Sequence, residues 1–449
     1  MPRGRVAFVV LGCAKNQVEA ESMSSRLARE GWDMTADIPN ADLVVVHSCG
    51  FLEAAREEAR ETLGHVRRAA PRAFLVLTGC FAQFLKKNSL PGVDAVLGTG
   101  QLDRLPDVLA QRSASAGMTR PTLTPSGYHD ANTPRPLWDG QLSTYLRLSE
   151  GCNHRCTFCI IPQLRGSLKS RPPGDILKEG ESLVQRGVRE LVLISQDTTD
   201  YGSDRKGLGL VPLVKRMAVW TDLRWIRLLY AYPSEVDKPL MDLLANEPKL
   251  CGYLDMPLQH MSDRILKSMG REWGHGKTRS LLDRLRNQVT GLALRTTFIV
   301  GFPGETEADF NQVLSVVQDG YFEHVGVFPY SFETRSPSAR LPGLVPPEVV
   351  TERWQRLLEA HRIVKTKKDR SRMGQTVDVL VEREPGGGWS ARAAHQAPEV
   401  DGGVKLKSHP TTPGFYSCRI TGVEGIHLKG ELLPRKSGKS SSRRLVLVP

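Results

Sequence analysis

Three short apolar runs near the start of the chain are each followed by a cysteine. The runs are Val6–Leu11 before Cys13, Leu43–Val46 before Cys49 and Phe74–Leu77 before Cys80. Between them lie two helix-like segments, Val18–Glu30 and Ala54–Ala70. This alternation predicts a βαβαβ order and a parallel sheet. We therefore expect the first hundred residues to form an α/β domain.

A longer series of the same kind occupies the middle of the chain. Six strand-like runs alternate with helical patterns: Tyr145–Leu148, Glu190–Ile194, Trp225–Tyr230, Tyr253–Leu258, Arg295–Val300 and His324–Tyr330. Six consecutive βα units predict a parallel barrel or a partial (βα)6 barrel. The chemistry of such a barrel should lie at the carboxyl ends of its strands.

The last part of the chain has a different pattern. A charged helical stretch, Pro347–Arg372, is followed by short β-like runs, Thr376–Val381, Ser390–Ala394 and Tyr416–Ile420, separated by glycines and prolines. This pattern is typical of a small five-stranded β-barrel of the oligonucleotide-binding type. We predict an α/β domain over 1–112, a linker rich in Ser, Thr, Pro and Gly over 113–140, the central barrel over 141–372, the small β-barrel over 373–434 and a basic tail over 435–449.

The composition indicates what kind of partner the protein binds and whether a membrane segment is expected. The net charge of +12 and the pI near 9.4 favour a polyanionic partner such as RNA or the ribosome, although many basic enzymes bind only small molecules. No apolar run approaches the roughly 18–20 residues that span a bilayer, so no membrane segment is expected. The start resembles a lipoprotein signal ending at Cys13, but Val6–Leu11 is shorter than the roughly 7–15 residues of a secretory apolar region and fits a strand better. The basic tail fits a solubilising end as well as a polyanion contact.

Cys13, Cys49 and Cys80 should emerge on one edge of the predicted sheet, because parallel strands share a carboxyl edge. Each lies beside a Gly or a Ser that lets a ligand approach the backbone. The alternative is three unrelated buried thiols, since free cysteine is often a small core residue. The equivalent positions favour a shared metal cluster. Cys251 and Cys418 lie outside any such pattern and are interpreted as ordinary thiols.

A second group of cysteines follows the first barrel strand. Its sequence is Cys152-Asn-His-Arg-Cys156-Thr-Phe-Cys159. Three thiolates so spaced can hold three irons of a [4Fe–4S] cluster and leave the fourth iron open for a substrate or cofactor. A structural zinc site is the alternative, but zinc usually takes four ligands with paired spacings, and His154 lies at an awkward offset inside the loop.

This C-x3-C-x2-C motif at the first strand of a βα barrel resembles the signature of the radical S-adenosylmethionine superfamily. The resemblance implies that the open iron binds S-adenosylmethionine, whose reductive cleavage gives a 5′-deoxyadenosyl radical. Candidate contacts to this cofactor follow other strands: Ser195, Gln196 and Asp197 after the second, Gln259 and His260 after the fourth, and Gly301 to Glu305 after the fifth. Glycine permits close backbone approach, and amide and carboxyl groups can bind an amine or a hydroxyl.

The order of the three domains resembles the methylthiotransferases over nearly the whole chain. The resemblance implies that Cys13, Cys49 and Cys80 hold a second [4Fe–4S] cluster that carries sulfur, and that the terminal barrel is a TRAM domain gripping a macromolecule. Several segments are similar to the branch that modifies an aspartate of small-subunit ribosomal protein twelve: Leu11-Gly-Cys-Ala-Lys-Asn16, Ser48-Cys-Gly-Phe51, Ile194-Ser-Gln-Asp-Thr198, Pro257-Leu-Gln-His260, Leu294-Arg-Thr-Thr-Phe-Ile-Val-Gly-Phe-Pro-Gly-Glu-Thr306 and Ala397-Pro-Glu-Val-Asp-Gly402. The other branch modifies an adenosine beside the tRNA anticodon. It tends to carry Trp-Gly-Cys-Gln-Met-Asn at the first cysteine and Gly-Gln-Asn-Val-Asn after the second barrel strand.

The resemblance implies a reaction that uses two molecules of S-adenosylmethionine. One methylates the sulfur, and the other yields the radical that takes a hydrogen from the β-carbon of the aspartate. A flavodoxin or ferredoxin should supply electrons, a separate donor should supply sulfur, and both clusters require a reducing cytoplasm. Two rival hypotheses remain beside tRNA modification: an RNA-binding scaffold that has lost its chemistry, and a simpler radical enzyme with a single cluster.

Overall fold

The computed structural model describes residues 3–85, 90–110, 134–271, 273–384 and 386–434. These residues divide into two compact units. The first contains the described residues of Met1–Trp138 and Ser143–Lys365, and the second contains those of Asp139–Leu142 and Thr366–Pro449. The predicted α/β domain and the predicted central barrel therefore belong to one unit.

The amino-terminal part of the first unit is a parallel sheet flanked by helices. Its strands are β1 (Gly4–Val10), β2 (Trp32–Met34), β3 (Leu43–Ser48), β4 (Phe74–Gly79) and β5 (Ala95–Leu97), and its helices are α1 (Ala14–Arg29), α2 (Glu53–Ala69), α3 (Cys80–Leu85) and α4 (Leu105–Ala110). The strand order is β2-β1-β3-β4-β5, and all neighbours are parallel. This arrangement confirms the three predicted strands and adds β2 and β5.

The central strand β3 explains why the pattern there is a continuous apolar run. Every residue of β3 is buried, because helices cover both faces of the sheet. Val44 and Val46 pack with Leu63 of α2 on one face. Leu43 and Val45 pack with residues such as Leu27 of α1 on the other face. Alternate side chains of the strand thus belong to two separate hydrophobic cores, one on each face of the sheet.

The remainder of the first unit contains the predicted partial barrel. Its strands are β6 (Ser143–Arg147), β7 (Ser149–Glu150), β8 (Lys169–Ser170), β9 (Glu190–Ile194), β10 (Trp225–Leu228), β11 (Leu250–Asp255), β12 (Ala293–Val300) and β13 (His324–Pro329). Its helices are α5 (Ile161–Arg165), α6 (Pro173–Gln185), α7 (Leu210–Ala218), α8 (Lys238–Asn246), α9 (Asp263–Ser268), α10 (His275–Gln288), α11 (Glu307–Gln318) and α12 (Pro347–Arg370), the last of which continues into the second unit.

Six of these strands form one parallel sheet in the order β6-β9-β10-β11-β12-β13, which confirms the six predicted βα units. The fourth strand lies earlier than expected, since β11 ends at Asp255 and the predicted run continued to Leu258. Pro257 follows the strand and has no N–H to extend its hydrogen-bond ladder. Buried apolar residues beyond Asp255 produced the misleading pattern.

The second unit contains the predicted small barrel. Its strands are β14 (Thr376–Arg383), β15 (Trp389–Ala393), β16 (Val404–Leu406), β17 (Gly414–Glu424) and β18 (His427–Leu432), in the order β15-β14-β17-β18-β16. Val379, Ile420 and Leu428 belong to its own buried core. A Cβ on Gly403 would lie 2.6 Å from the carbonyl oxygen of Ala391, so β15 and the approach to β16 meet and nearly close the barrel.

Two further observations concern the ends and the connections. No helix in the described ranges combines the length and the hydropathy needed to cross a bilayer. Most of the predicted linker, 113–140, and all of the predicted tail, 435–449, lie outside the described residues, so both stay predictions. At the described end of the linker, Arg135 is buried and pairs with Glu21 and Glu179 at 2.7 and 2.9 Å, so this end packs on α1 and α6.

Candidate active site with two sets of cysteines

The structure brings together the three cysteines that follow the strands of the amino-terminal sheet. We call Cys13, Cys49 and Cys80 the strand-end cysteines. Strands β1, β3 and β4 are neighbours whose carboxyl ends are level, because Val10 pairs with His47 and His47 pairs with Thr78. Each cysteine comes within three residues of the end of its strand. The predicted convergence on one sheet edge is therefore present.

Glycines allow the loops that carry these cysteines to pack tightly. Gly12 has a φ of +101°, and a Cβ there would lie 2.8 Å from the Cβ of Cys49. A Cβ on Gly50 would lie 2.6 Å from the backbone carbonyl of Cys80. Only residues without a side chain fit such approaches. The glycines that accompany the cysteines in the sequence thus hold the three loops together.

The strand-end cysteines differ in exposure but influence one another electrostatically. Cys13 is exposed, Cys49 is half-buried and Cys80 is buried. Burial raises the pKa of Cys49, and the nearby thiol of Cys13 raises it further. Burial raises the pKa of Cys80 to about 12, although Arg165 opposes this rise. Thiols that are close together and poorly ionised alone suit a cationic group that would replace their protons.

The second set, Cys152, Cys156 and Cys159, lies in the loop after β7, and we call its members the loop cysteines. The loop is ordered by backbone hydrogen bonds: the N–H of Cys152 donates to Gly166 at 3.1 Å, and the N–H of Cys159 donates to Cys156 at 3.1 Å. All three side chains are half-buried. Burial and the neighbouring thiols raise the pKa of Cys152 to about 11 and that of Cys159 to about 12.

The spacing of the sulfurs argues against a single metal ion. Tetrahedral zinc with bonds of about 2.3 Å would place two thiolate sulfurs about 3.8 Å apart. In the described residues, neither set of cysteines brings three sulfur atoms within 4.8 Å of one another. A cluster in which each thiolate binds a different iron needs no such convergence. Both donor sets therefore fit an iron–sulfur cluster better than zinc.

The turn before the loop cysteines gives a testable prediction. Gly151 has a φ of +76°, and a Cβ there would lie 2.1 Å from the carbonyl oxygen of Ser167. We expect Gly151→Ala to lower the free energy of unfolding by about 3–5 kcal/mol, through backbone strain and overpacking together. Urea denaturation of the cluster-free protein measures this loss.

Gly187→Ala is the matched control, since Gly187 has a φ of +109° and its Cβ would meet no atom within 4 Å. It should cost only the strain, about 1–2 kcal/mol. Equal losses for the two variants would show that the crowding at Gly151 has no energetic consequence.

His154, which lies between the loop cysteines, forms a small polar group with two aspartates. Its Nε2 lies 2.6 Å from Oδ2 of Asp197, and its ring stacks on Tyr232 at a centroid distance of 3.8 Å. Side-chain atoms of His154, Asp197 and Asp200 lie within 4.8 Å of one another. The histidine spacing in the sequence did not indicate this group. The contacts with Asp197 and Tyr232 are sufficient to explain the position of His154.

The predicted cofactor contacts after β9 are held by neighbouring groups. Ser195 is buried and donates its hydroxyl to the carbonyl of Ile194. Asp197 accepts from the N–H and the hydroxyl of Thr199 through Oδ1. Gln196 donates its amide N–H to Glu150 at 2.8 Å, while its buried Oε1 has no hydrogen-bond partner in the described part of the chain. Among these three side chains, Gln196 is thus the one whose buried acceptor has no partner in the described residues.

The predicted cofactor contacts after β11 and β12 form hydrogen bonds within the turns that follow these strands. Gln259 has a φ of +70° and is linked by backbone hydrogen bonds to β12. Glu305 accepts from the N–H of Gly301 at 2.8 Å and from Arg353 at 2.9 Å. Its Oε2 also lies 3.6 Å from Nε2 of His260. Glu305 therefore builds the turn after β12.

A buried arginine connects the two sets of cysteines, and the sequence pattern did not reveal it. Arg165, at the end of α5, donates through Nε to Sγ of Cys80 at 3.1 Å. Its other nitrogens bind Glu19 at 2.5 Å, Glu150 at 3.2 Å and Asn16 at 3.1 Å. The loop that carries the loop cysteines ends in the helix that supplies this arginine. One guanidinium thus links the barrel to the edge of the amino-terminal sheet.

Glu19 is the anion at the centre of this network. Burial disfavours its charge, but Arg165 and Arg147, together with a hydrogen bond to His47, hold the pKa of Glu19 well below its usual value. Arg147 Nη1 donates to Glu19 and to Glu150 at 2.8 Å each. Buried charges that are mutually paired and hydrogen-bonded avoid the cost of isolation.

Curated proteins of full length resemble this chain throughout. The chain is 41% identical to the ribosomal protein uS12 methylthiotransferase RimO of Desulforudis audaxviator (strain MP104C), over 96% of this chain and 97% of that protein. It is 40% identical to the protein of the same name from Syntrophotalea carbinolica (strain DSM 2380 / NBRC 103641 / GraBd1), with the same coverage. The chain belongs to the ribosomal protein uS12 methylthiotransferase family.

Family models match three successive parts of this methylthiotransferase. Residues 5–98 match the uncharacterized protein family UPF0004, residues 146–317 match the radical SAM superfamily, and residues 373–433 match the TRAM domain. The central match makes the protein a radical S-adenosylmethionine enzyme, a class that works with an iron–sulfur cluster.

Solved structures share the fold of this methylthiotransferase. One is the radical S-adenosylmethionine methyltransferase TsrM from Kitasatospora setae with cobalamin and a [4Fe-4S] cluster bound, with a TM-score of 0.53, 17% identity and coverage of 75% of this chain and 77% of that one. Another is the apo form of the cobalamin-dependent S-adenosylmethionine radical enzyme OxsB, with a TM-score of 0.51, 13% identity and coverage of 81% and 56%. At these identities the likeness concerns the fold alone.

The sequence contained a faint signal of the buried network in this methylthiotransferase. Asn16 and Glu19 occupy the same face of α1 as the buried Met23, which is an unusual position for polar side chains. Such a pattern indicates a paired buried charge but does not identify its partner. Arg165 lies 146 residues away from Glu19, so only the fold could reveal the pair.

Proposed function

We propose that this methylthiotransferase attaches a methylthio group to the β-carbon of an aspartate in ribosomal protein uS12. The observation that carries this proposal is the similarity of about 40% identity over 96% of the chain to proteins named for that activity. The motifs at the first cysteine and after the second barrel strand favour this substrate over tRNA. The net charge of +12 suits approach to the polyanionic small ribosomal subunit.

The two sets of cysteines would hold two [4Fe–4S] clusters. The loop cysteines follow the first barrel strand, where S-adenosylmethionine would bind, and the strand-end cysteines lie in the same compact unit. When bound, these groups supply the one-electron chemistry that removes a hydrogen atom from an unactivated carbon, and the sulfur that becomes the methylthio group. A cationic cluster would also offset the burial that raises the pKa of Cys49, Cys80, Cys152 and Cys159.

The protein's own residues would position the cofactor and shield it. The unpartnered oxygen of Gln196 could accept from the amine of S-adenosylmethionine, while Glu150 fixes the other end of that amide. Ser195, Asp197 and Gln259 complete the contacts that we propose at the strand ends. Gly301 and Glu305 would act through the shape of their turn, since the carboxylate of Glu305 is already occupied.

Two further partners are part of the proposal. A flavodoxin-type or ferredoxin-type protein would supply electrons, and a separate donor would supply the sulfur consumed in each turnover. Both requirements, together with thiolate ligands that must stay reduced, favour a cytoplasmic setting.

Mass spectrometry tests the proposed function directly. Anaerobically reconstituted protein should replace one hydrogen of uS12 with a methylthio group, a net gain of CH2S in mass, when it is given S-adenosylmethionine, sulfide and a low-potential reductant. Fragmentation should place the added mass on an aspartate. Parallel digestion of tRNA from the same reaction provides the comparison. Label in tRNA nucleosides with none in uS12 would overturn the ribosomal-protein assignment in favour of the tRNA alternative.

A further inference from the structure

A buried lysine beside the strand-end cysteines forms no ion pair with a carboxylate of the described residues. Lys15 lies in the first turn of α1, two residues after Cys13, and the residue is only 8% exposed. Among the described residues, no acceptor forms a hydrogen bond or an ion pair with its ammonium group. A buried charge without a partner is costly, so its presence requires a reason.

The ammonium group of Lys15 packs against a tyrosine of the barrel. Its Nζ lies 3.8 Å from the centroid of the Tyr230 ring. Tyr230 follows β10 and has a φ of +63°, which is a rare conformation for a bulky residue. Two hydrogen bonds hold it there: its N–H donates to Asp255 at 3.2 Å, and its carbonyl accepts from the N–H of Thr198 at 2.8 Å. The barrel thus holds Tyr230 in a strained backbone conformation that places its ring against the ammonium group of Lys15.

The groups whose negative charge favours the ammonium of Lys15 are the thiol of Cys13 and the carboxylates of Glu150 and Asp255. Both carboxylates accept hydrogen bonds from other donors. Asp255 accepts from Arg295 at 3.2 Å and from the backbone of Tyr230. Glu150 accepts from Arg147, Arg165 and Gln196. The negative charges of these carboxylates favour the charged ammonium of Lys15, but the carboxylates form no hydrogen bond with it. The donor capacity of the Lys15 ammonium remains available for an incoming group.

The position of Lys15 suggests what that incoming group is. Cys13, one of the strand-end cysteines, is the N-cap of its helix, and the tyrosine beneath it lies just beyond the carboxyl end of barrel strand β10. The ammonium therefore lies between the sheet edge that carries the strand-end cysteines and the carboxyl ends of the barrel strands. Within the proposed function, the target side chain has to reach this place. That side chain ends in a carboxylate, whose charge is opposite to that of Lys15.

We propose that Lys15 binds the carboxylate of the substrate aspartate and thereby holds its β-carbon between the two sets of cysteines. This inference rests on the proposed function and adds a specificity-determining residue to it. A buried, charge-assisted hydrogen bond gives strong selection for aspartate over asparagine, because the neutral amide leaves the ammonium uncompensated. The face of Tyr230 keeps the ammonium in place before the substrate arrives.

Substrate binding by the full-length, reconstituted enzyme tests this assignment. Fluorescence anisotropy would measure the Kd of labelled uS12 and of uS12 in which the modified aspartate is replaced by asparagine. We expect the wild-type enzyme to prefer the aspartate form by about 30-fold, the effect of removing one partner of a buried charge pair. Lys15→Met, which keeps the length of the side chain, should bind both forms alike.

Lys206→Met is the matched control, since Lys206 is exposed and its loss changes the net charge by the same amount. It should keep the preference for aspartate. The iron content and the melting temperature of Lys15→Met should match those of the wild type. A loss of aspartate preference then reflects lost recognition and not a defect in folding or in cluster binding.

Three results would overturn the inference. A Lys15→Met enzyme that still prefers aspartate would remove Lys15 from recognition, and a wild type that binds both forms equally would show that the carboxylate is not recognised at all. A variant that loses affinity for S-adenosylmethionine, while keeping its preference in uS12, would assign the ammonium to the carboxylate of the cofactor. Modification of uS12 in any of these cases would leave the proposed function intact, whereas a wild type that modifies only tRNA would overturn both.

Discussion

Replacing Cys152, Cys156 and Cys159 together with alanine should lower the iron content from about eight atoms per chain to about four. The strand-end cysteines belong to separate loops and would keep their own cluster. Their triple alanine variant should likewise retain about four irons, on the loop cysteines. Iron counting and Mössbauer spectroscopy after anaerobic reconstitution measure both numbers. Each variant should also lose methylthiolation of uS12 completely, because the proposed reaction needs both clusters.

The remaining two cysteines provide the control for the iron count. Cys251 and Cys418 are buried in β11 and β17, outside both sets. Replacing both with alanine should leave the iron content at about eight per chain, although the lost packing lowers stability. If the wild type instead holds about four irons, and the loop-cysteine variant holds none, the strand-end cysteines carry no cluster. The protein would then be a simpler radical enzyme.

Replacing Arg165 with methionine should lower the free energy of unfolding by about 3–5 kcal/mol, the usual cost of breaking a buried ion pair from one side. The side chain of Arg165 is 1% exposed, and its loss leaves Glu19 and Glu150 with fewer cationic partners. Chemical denaturation of the cluster-free protein measures the effect without interference from bound iron. Arg60→Met is the control, because Arg60 pairs with Glu53 and Glu57 at the surface and should cost less than about 1 kcal/mol.

The pH dependence of the free energy of unfolding provides a second test with the Arg165→Met variant. Arg165 and Arg147 hold the pKa of Glu19 in the folded protein well below its ordinary value of 4.5. This pairing therefore stabilises the fold above that ordinary pKa, and its contribution is lost as the pH falls through the folded pKa. The stability difference between the wild type and Arg165→Met should be full at neutral pH and shrink on acidification. A difference below about 1 kcal/mol at neutral pH, equal to that of Arg60→Met, would contradict the role assigned to the network.

Most of the fold was predictable because its signals are local. The runs before Cys13, Cys49 and Cys80 were long and apolar enough to identify strands β1, β3 and β4. Six strand-like runs predicted the order of the central sheet for the same reason. Strands β2, β5 and β16 were missed, since each has three residues and leaves no detectable alternation. The six-residue strand β18 was also not among the predicted runs. Strand β11 was placed three residues too late, because the buried apolar side chains of Met256 and Leu258 continue the pattern beyond its last residue, Asp255.

The candidate site was predictable only for residues that carry a short-range motif. The C-x3-C-x2-C spacing indicated the loop cysteines, and the shared carboxyl edge of a parallel sheet indicated the strand-end cysteines. The candidate contacts after the barrel strands rest on position alone. The structure adds that Gln196 keeps an unpaired buried oxygen, whereas Glu305 is engaged by Arg353.

The sequence alone therefore determined the order of the elements, the two groups of three cysteines and the family of enzymes that they resemble. Tertiary structure alone decided how the groups are connected: Arg165 reaches Cys80 from 85 residues away, and the ammonium of Lys15 lies over the ring of Tyr230. The physical reason is the range of the forces involved. Periodic burial repeats along the chain and leaves a pattern, but an ion pair or a cation over a ring joins two distant positions once. Only the folded chain brings those positions together.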